Sequence, residues 1–430
     1  MLKAARRIVP VIAAVLVLAL TASIASADGP GWRTISQDFH GLLFGLNVGQ
    51  NGQLLVADSG AGPTKLNPDN GDTSLIASLP NVTDVIQVGR REYMALTGGS
   101  EAPTDGRLWR IKDGDVTEVA DLGKFEADHD PDGAGVDSNP YHLAKLTRNK
   151  FLVADAGGND ILIVDTDGNI DWVAVLPKHE IPTQPVKDAA GCPAGPPDIC
   201  GLPDTFEADA VATGVAVGPD GGIYAGELTG FPATPGFSRI WRIEPDARHV
   251  TCGTDDGECT QVQISNDCID FGPQGCGPEQ GPRTSIVDMT FGKDGTAYVV
   301  ELDEASWLAA TEGGGGKGGT VNACKSQNGG GDDNGEGHHD NGTVKWSCHA
   351  IATGLPFPLA AAVTGHSVYV TLAHGPEGPF EVAVLTNGGD GEDDGEHGGG
   401  DHGNGNGDSG DNGDNGNGNN DHEGGGRTDD

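Results

Sequence analysis

Four acids recur at one repeated position. Asp58, Asp155, Glu227 and Glu301 each close a segment in which an apolar stretch, a turn and a second apolar stretch follow one another, and each stands 12 residues after an apolar anchor, Leu46, Leu143, Val215 or Met289. Carboxylates that repetition carries to one end of a ring suit a hard cation with oxygen ligands, and such a cation polarises a carbonyl or activates water. Asn139 and His142 lead into the second of these segments, and an imidazole there has the chemistry of a metal ligand or a general base. Asp58, Asn139, His142, Asp155, Glu227 and Glu301 are therefore the expected metal set, with Ca²⁺ or another divalent cation as the expected cofactor. The competing reading makes the acids turn-stabilising residues and His142 a structural hydrogen-bonding group. Phe231, Pro232, Phe357 and Pro358 offer either an apolar rim for an aromatic ligand or core and turn positions. The chain contains no G-x-S-x-G elbow, H-E-x-x-H, phosphate-binding loop or dinucleotide fingerprint.

The elements that position these residues follow from the repeat. Phe44 to Asp58 aligns with Tyr141 to Asp155, Thr213 to Glu227 and Val287 to Glu301, and weaker copies run from Val85 to Thr97 and from near Ala361. After the hairpins come further alternating segments such as Arg107 to Ile111, Ile161 to Val164 and Arg239 to Ile243. Four strands per unit of about 40 residues is the signature of a propeller blade, and 3.6-residue periodicity is missing. Six units give an all-β, six-bladed β-propeller over residues 28–386. Its last unit lacks a fourth strand, and Trp32 to Ser36 can fill that place and remove an exposed sheet edge.

Eight cysteines fall into the neighbouring couples Cys192 with Cys200, Cys252 with Cys259, Cys268 with Cys276, and Cys324 with Cys348. Formally they allow 105 pairings. Their proximity points to local staples in insertions at 188–204 and 252–276 and around the Gly-rich stretch 313–342, and no C-x-x-C suggests zinc.

Residues 1–27 read as a secretory signal, with Lys3, Arg6 and Arg7 ahead of the apolar run Ile8 to Leu20 and the small-residue site Ala25-Ser26-Ala27. That run is shorter than the roughly 20 residues that span a bilayer, so no stable membrane insertion is expected once the leader is cleaved. The formal charge of -39 argues against nucleic acid and anionic membrane surfaces as partners. About a dozen of those negative charges come from 387–430, whose Gly, Asp and Asn composition is that of a disordered acidic tail.

The stretch Asp137-Ser-Asn-Pro-Tyr-His-Leu143, followed by Phe151-Leu-Val-Ala-Asp-Ala-Gly-Gly-Asn-Asp-Ile-Leu162, closely resembles the ScyD/ScyE family of secreted bacterial propellers. Gly226 to Pro232, Gly354 to Pro358 and Ala120 to Glu126, which runs on into Asp130-Pro-Asp-Gly133, are similar to that family as well. More distantly the blades look like NHL repeats and the TolB-like and sugar-lactone hydrolase propellers. The resemblance implies an exported six-bladed propeller; cyanobacterial members are associated with pigment assembly. The resulting expectation is a monomeric, extracytoplasmic module that binds a small molecule or a protein and is more a non-enzyme than an enzyme. The alternative is a metal-dependent enzyme, hydrolysing lactones or coupling aromatic monomers, with carboxylates at the channel mouth.

Overall fold

The computed structural model describes residues 31–99, 102, 104–254, 257–265, 283–312, 316–327 and 344–386. The expected leader, the Cys268–Cys276 couple and the tail lie outside them.

Six antiparallel sheets follow one another along the chain as blades. From the inner strand outward, blade 1 is Leu43–Val48, Leu54–Asp58, Gly62–Leu66 and Thr73–Leu75, and blade 2 is Val82–Gly89, Glu92–Thr97, Arg107–Lys112 and Asp115–Asp121. Blade 3 is Pro140–Lys145, Lys150–Asp155, Asp160–Asp165 and Ile170–Val175; blade 4 is Ala212–Val217, Ile223–Glu227, Ile240–Ile243 and Cys259–Gln261. Blade 5 is Ile286–Phe291, Ala297–Glu301, Gly319–Ser326 and Lys345–Leu355. Blade 6 takes Ala361–Thr364, Ser367–Ala373 and Phe380–Leu385 from the end of the chain and its outer strand, Trp32–Ser36, from the beginning, with Trp32 opposite Leu385. Each inner strand lies beside the next, and that of blade 6 returns to that of blade 1, so the ring closes.

Both faces of a blade are covered by its neighbours, so its strands are apolar without a polar alternation. In blade 3, Phe151 and Val153 pack toward Met94, Leu96 and Leu108 of blade 2, whereas Leu152 and Ala154 pack toward Val215, Ile223 and Ala225 of blade 4. The period of two along one strand thus feeds two core layers.

The Gly-rich stretch 313–342 differs from its expected description, because Gly319–Ser326 is the third strand of blade 5. Its Thr320-Val-Asn-Ala-Cys run carries the β-branched and apolar residues that a blade interior accepts. Three expected disulfides are present: Cys192–Cys200, Cys252–Cys259 and Cys324–Cys348. The last joins register partners of the third and fourth strands of blade 5. Between its third and outer strands, blade 4 sends Val250–Thr251 to pair parallel with the outer strand of blade 3. Just after its outer strand it sends Gln263–Ser265 to pair in parallel with the outer strand of blade 5. The segment between these two excursions is closed by Cys252–Cys259. Among the described residues no helix is long and apolar enough to cross a membrane.

Candidate metal centre

At the start of the inner strand, blades 2, 3, 4 and 5 share an irregularity that leaves Thr83, Tyr141, Thr213 or Val287 unpaired with the second strand. A bulge re-aims the residue that follows. In blades 2, 3 and 5 those residues are Asp84, His142 and Asp288, all buried. Nε2 of His142 lies 3.3 Å from Oδ2 of Asp84 and 3.2 Å from Oδ1 of Asp288. Its Nδ1 accepts the N–H of Val215 at 3.2 Å, so the Nε2 nitrogen carries the ring proton and donates toward the two acids. Asp84 also accepts the N–H of Leu143, and Asp288 that of Ala361. Each of the three therefore ties its inner strand to that of the following blade. Burial pushes Asp84 up to about 6 despite the imidazole. Every nitrogen of the His142 ring and every carboxylate oxygen of these two acids has a partner within the protein.

The acids expected from the repeat end the second strands and are engaged with their own blades. Asp58 accepts the N–H groups of His40 at 2.9 Å and Gly60 at 3.0 Å. Asp155 accepts Ser138 Oγ and the N–H groups of Asn139, Gly157 and Gly158. Glu227 receives two hydrogen bonds from the Arg239 guanidinium and one from the Trp241 indole. Glu301 accepts the N–H groups of Arg283 and Thr284 and the amide of Asn322. Burial raises both glutamates to about 7. The Asn139 side chain accepts the N–H of Gly99. Phe357 is a core residue, and Phe231 packs edge-to-face on Phe206, with ring centres 5.6 Å apart.

Asp155 and Asn139 border a different group of acids, at the head of blade 3. After the outer strand of blade 2 the chain forms the helix Leu122–His129, whose first turn is capped by the Asp121 carboxylate on the N–H of Lys124. The helix buries Leu122, Phe125 and Glu126 and stops at Asp130, whose φ of 42° and following Pro131 end it. Asp130 and Asp132 then fold the loop back by accepting the N–H groups of Gly135 and Ala134. Glu126, Asp130 and Asp132 each present a carboxylate oxygen, and these atoms lie within 4.8 Å of one another. Among the described residues this is the group of acids that a single ion can reach, and none of the six expected from the repeat belongs to it.

Asp160 opens the third strand of blade 3 beside this group. It is 0 % exposed, and neither of its carboxylate oxygens has a hydrogen-bond partner; nor has Oε1 of Glu126, which is 2 % exposed. Both side chains lie beside Gly158, where a Cβ would sit 3.2 Å from Oε2 of Glu126 and 3.5 Å from Oδ1 of Asp160. Asn159 links the group to blade 4: its amide donates to Asp132, and its oxygen accepts the N–H of Val211. Burial, and then Asp155, Asp132 and Asp130, push Glu126 up to about 8, and burial with Asp155 and Glu126 holds Asp160 well above the usual carboxylate range. Burial, then Asp155 and Asp209, raises Asp137 to about 6. Lys178 lies at the margin, 2.9 Å from Asp209.

Sequence reasoning missed Glu126, Asp130, Asp132 and Asp160 as site residues. The available signals were an acid opening the otherwise apolar run Asp160-Ile-Leu-Ile-Val164 and the Asp130-Pro-Asp-Gly133 turn, which repeat alignment passes over because no other blade has them.

No protein-family model matches this sequence, and no curated protein matches it. Solved structures with a similar fold include the pyranose dehydrogenase PQQ domain from Coprinopsis cinerea in its holo form, 12 % identical with a TM-score of 0.49 over 85 % of this chain and 99 % of that one. Virginiamycin B lyase from Staphylococcus aureus is 14 % identical with a TM-score of 0.40 over 80 % of this chain and 94 % of that one. A gluconolactonase from Xanthomonas campestris is 10 % identical with a TM-score of 0.46 over 86 % of this chain and 99 % of that one. These neighbours correct the expectation that the chain is more a non-enzyme than an enzyme, since the solved propellers beside it are a dehydrogenase, a lyase and a gluconolactonase. At these identities the likeness is one of fold: the chain is an all-β, six-bladed propeller.

Proposed function

We propose that this chain is an exported propeller of the ScyD/ScyE kind that works as a cation-dependent hydrolase of a small cyclic ester. The observation that carries this reading is the set of buried carboxylate oxygens without partners on Glu126 and Asp160. An ionised carboxylate taken out of water and left unpaired is strongly disfavoured; the raised pKa values of Glu126 and Asp160 show a proton relieving that penalty, and a cation that displaces the proton relieves it as well. The three disulfides support the extracytoplasmic setting, because such bonds persist in oxidising compartments.

A divalent cation held there would supply Lewis acidity toward an ester carbonyl, the chemistry by which water opens a cyclic ester to a hydroxy acid. The protein's part is to hold oxygens at the head of blade 3, on a loop fixed by the Asp130 and Asp132 turns and tied to blade 4 through Asn159. The test is acid release from a panel of five- and six-membered lactones, followed in a pH-stat with purified full-length protein. Turnover that stops in chelator and returns with added Ca²⁺ is expected. No turnover of any lactone, or turnover indifferent to chelation, sinks the reading.

A further inference from the structure

We infer that the acid group at the head of blade 3 is a calcium-class cation site, with Glu126, Asp130 and Asp132 as protein ligands and the Asp160 carboxylate beside Glu126 supplying further negative charge. The inference rests on the cation-dependent reading above and names its ligands and the class of ion they select.

Two independent observations meet here. The first is reach: one oxygen from each of Glu126, Asp130 and Asp132 lies within 4.8 Å of the others, the separation that ligands of a common ion show. The second is orphaned valence. Oε1 of Glu126 is a buried acceptor with no donor, and Asp160, wholly buried, has two. The carboxylates that serve the turns of this propeller are instead saturated: Asp155 takes four hydrogen bonds. A fold that satisfies one acid so fully and leaves three buried oxygens of Glu126 and Asp160 without donors has left room for something else to satisfy them.

The donor set selects the ion. Every ligand is a carboxylate oxygen, with no imidazole or thiolate in the group, which disfavours zinc and copper. The ligands come from a helix end and the loop that follows it, a flexible arrangement that Ca²⁺ accepts more readily than Mg²⁺, whose octahedron is strict. The side chain of His129 is occupied, its Nδ1 on the Phe125 carbonyl and its ring stacked on that of Phe125. Gly158 borders the site, since a Cβ there would lie 3.2 Å from Oε2 of Glu126 and in ordinary contact, at 3.5 Å, with Oδ1 of Asp160.

The experiment is calorimetric titration of chelator-treated, full-length protein with CaCl₂ and, separately, MgCl₂, for the native chain and for Glu126→Gln and Asp132→Asn. Asp132 is only partly buried, so its variant keeps the test open if Glu126→Gln fails to fold. The expected result is one Ca²⁺ per chain above the weak background of the acidic stretches, with Mg²⁺ weaker. Each variant should lower that affinity by about 10- to 100-fold, the scale on which ligand charge moves hard-cation binding. Absence of a stoichiometric Ca²⁺ from the native chain overturns the site, as does a tight site left at full affinity in the variants. If lactone turnover depends on Ca²⁺ but neither variant changes Ca²⁺ affinity, the site is wrong and the cation-dependent reading stands. If the variants abolish tight binding while chelated native protein still turns over, the reading is wrong and the site stands.

Discussion

His142 and Glu301 show how single residues hold a propeller whose blades repeat but are not identical. His142 spends both ring nitrogens between blades, one on Val215 of blade 4 and the other on Asp84 and Asp288 of blades 2 and 5. Glu301 spends its carboxylate locally, on the turn that leads into its own blade. Burial raises Glu301 from an ordinary 4.5 to about 7, against the pull of the Thr284 and Arg283 N–H groups. Its folded pKa lies above the unfolded one, so its contribution is fully present below about 4.5 and is lost as pH rises through 7. That swing is on the order of 3 kcal/mol. Glu301→Gln keeps the acceptor without the proton, so its urea midpoint should change less between pH 5 and pH 8 than that of the native chain. An equal change in both proteins would refute the assignment. The residues singled out from the sequence were those the repeat aligns, Asp58, Asp155, Glu227 and Glu301, together with Asn139 and His142 at the entry to the second copy. Asp84, His142 and Asp288 also align, one place before the anchors, but only the bulge seen in the structure aims them at one another. Glu126 and Asp160 were illegible because their significance is burial without partners, which no spacing encodes.

Among the elements, the strand Trp32–Ser36 carries the heaviest duty for its length. Sequence pattern anticipated it, since blade 6 offered three strands and the beginning of the chain one unassigned apolar run. What pattern did not show is the latch behind it: Glu381, wholly buried on the neighbouring strand, accepts hydrogen bonds from Thr34, Gln37 and His374. Burial alone would raise that carboxyl, but the bonds from His374, Gln37 and Thr34 outweigh it and hold the group below its ordinary value. A depressed folded pKa gives stability that is present above the unfolded pKa and is lost as pH falls through the folded one. Acidification below about pH 4.5 should therefore free the first strand before the rest, and hydrogen exchange of the amides of 32–36 should rise ahead of those of the inner strands. Glu381→Gln should show that early exchange already at neutral pH. Simultaneous exchange of all six blades on acidification would contradict the latch.

At the scale of the whole molecule, blade 4 is laced to both neighbours. Its excursions place Val250–Thr251 on the edge of blade 3 and Gln263–Ser265 on the edge of blade 5, and Cys252–Cys259 pins the chain between them. Replacing both cysteines by serine should lower global stability by about 2 kcal/mol, as expected for a short cross-linked loop. Amide exchange should then rise along the outer strands of blades 3 and 5 together; a rise confined to blade 4 would show that the lacing is incidental. The ring itself has a temporal consequence. The first strand to leave the ribosome belongs to the last blade to be made, so Trp32 must wait for Leu385 before either has its partner. Closure is the most non-local event in the fold and should be the slow one. Until it happens, Phe380–Leu385 presents an open edge of blade 6 and Trp32–Ser36 has no sheet to join, so a nascent form stays unsealed until its last blade is made. A truncation that removes Phe380–Leu385 should therefore fail in the same way as one that removes Trp32–Ser36, although the two cuts lie at opposite ends of the polypeptide.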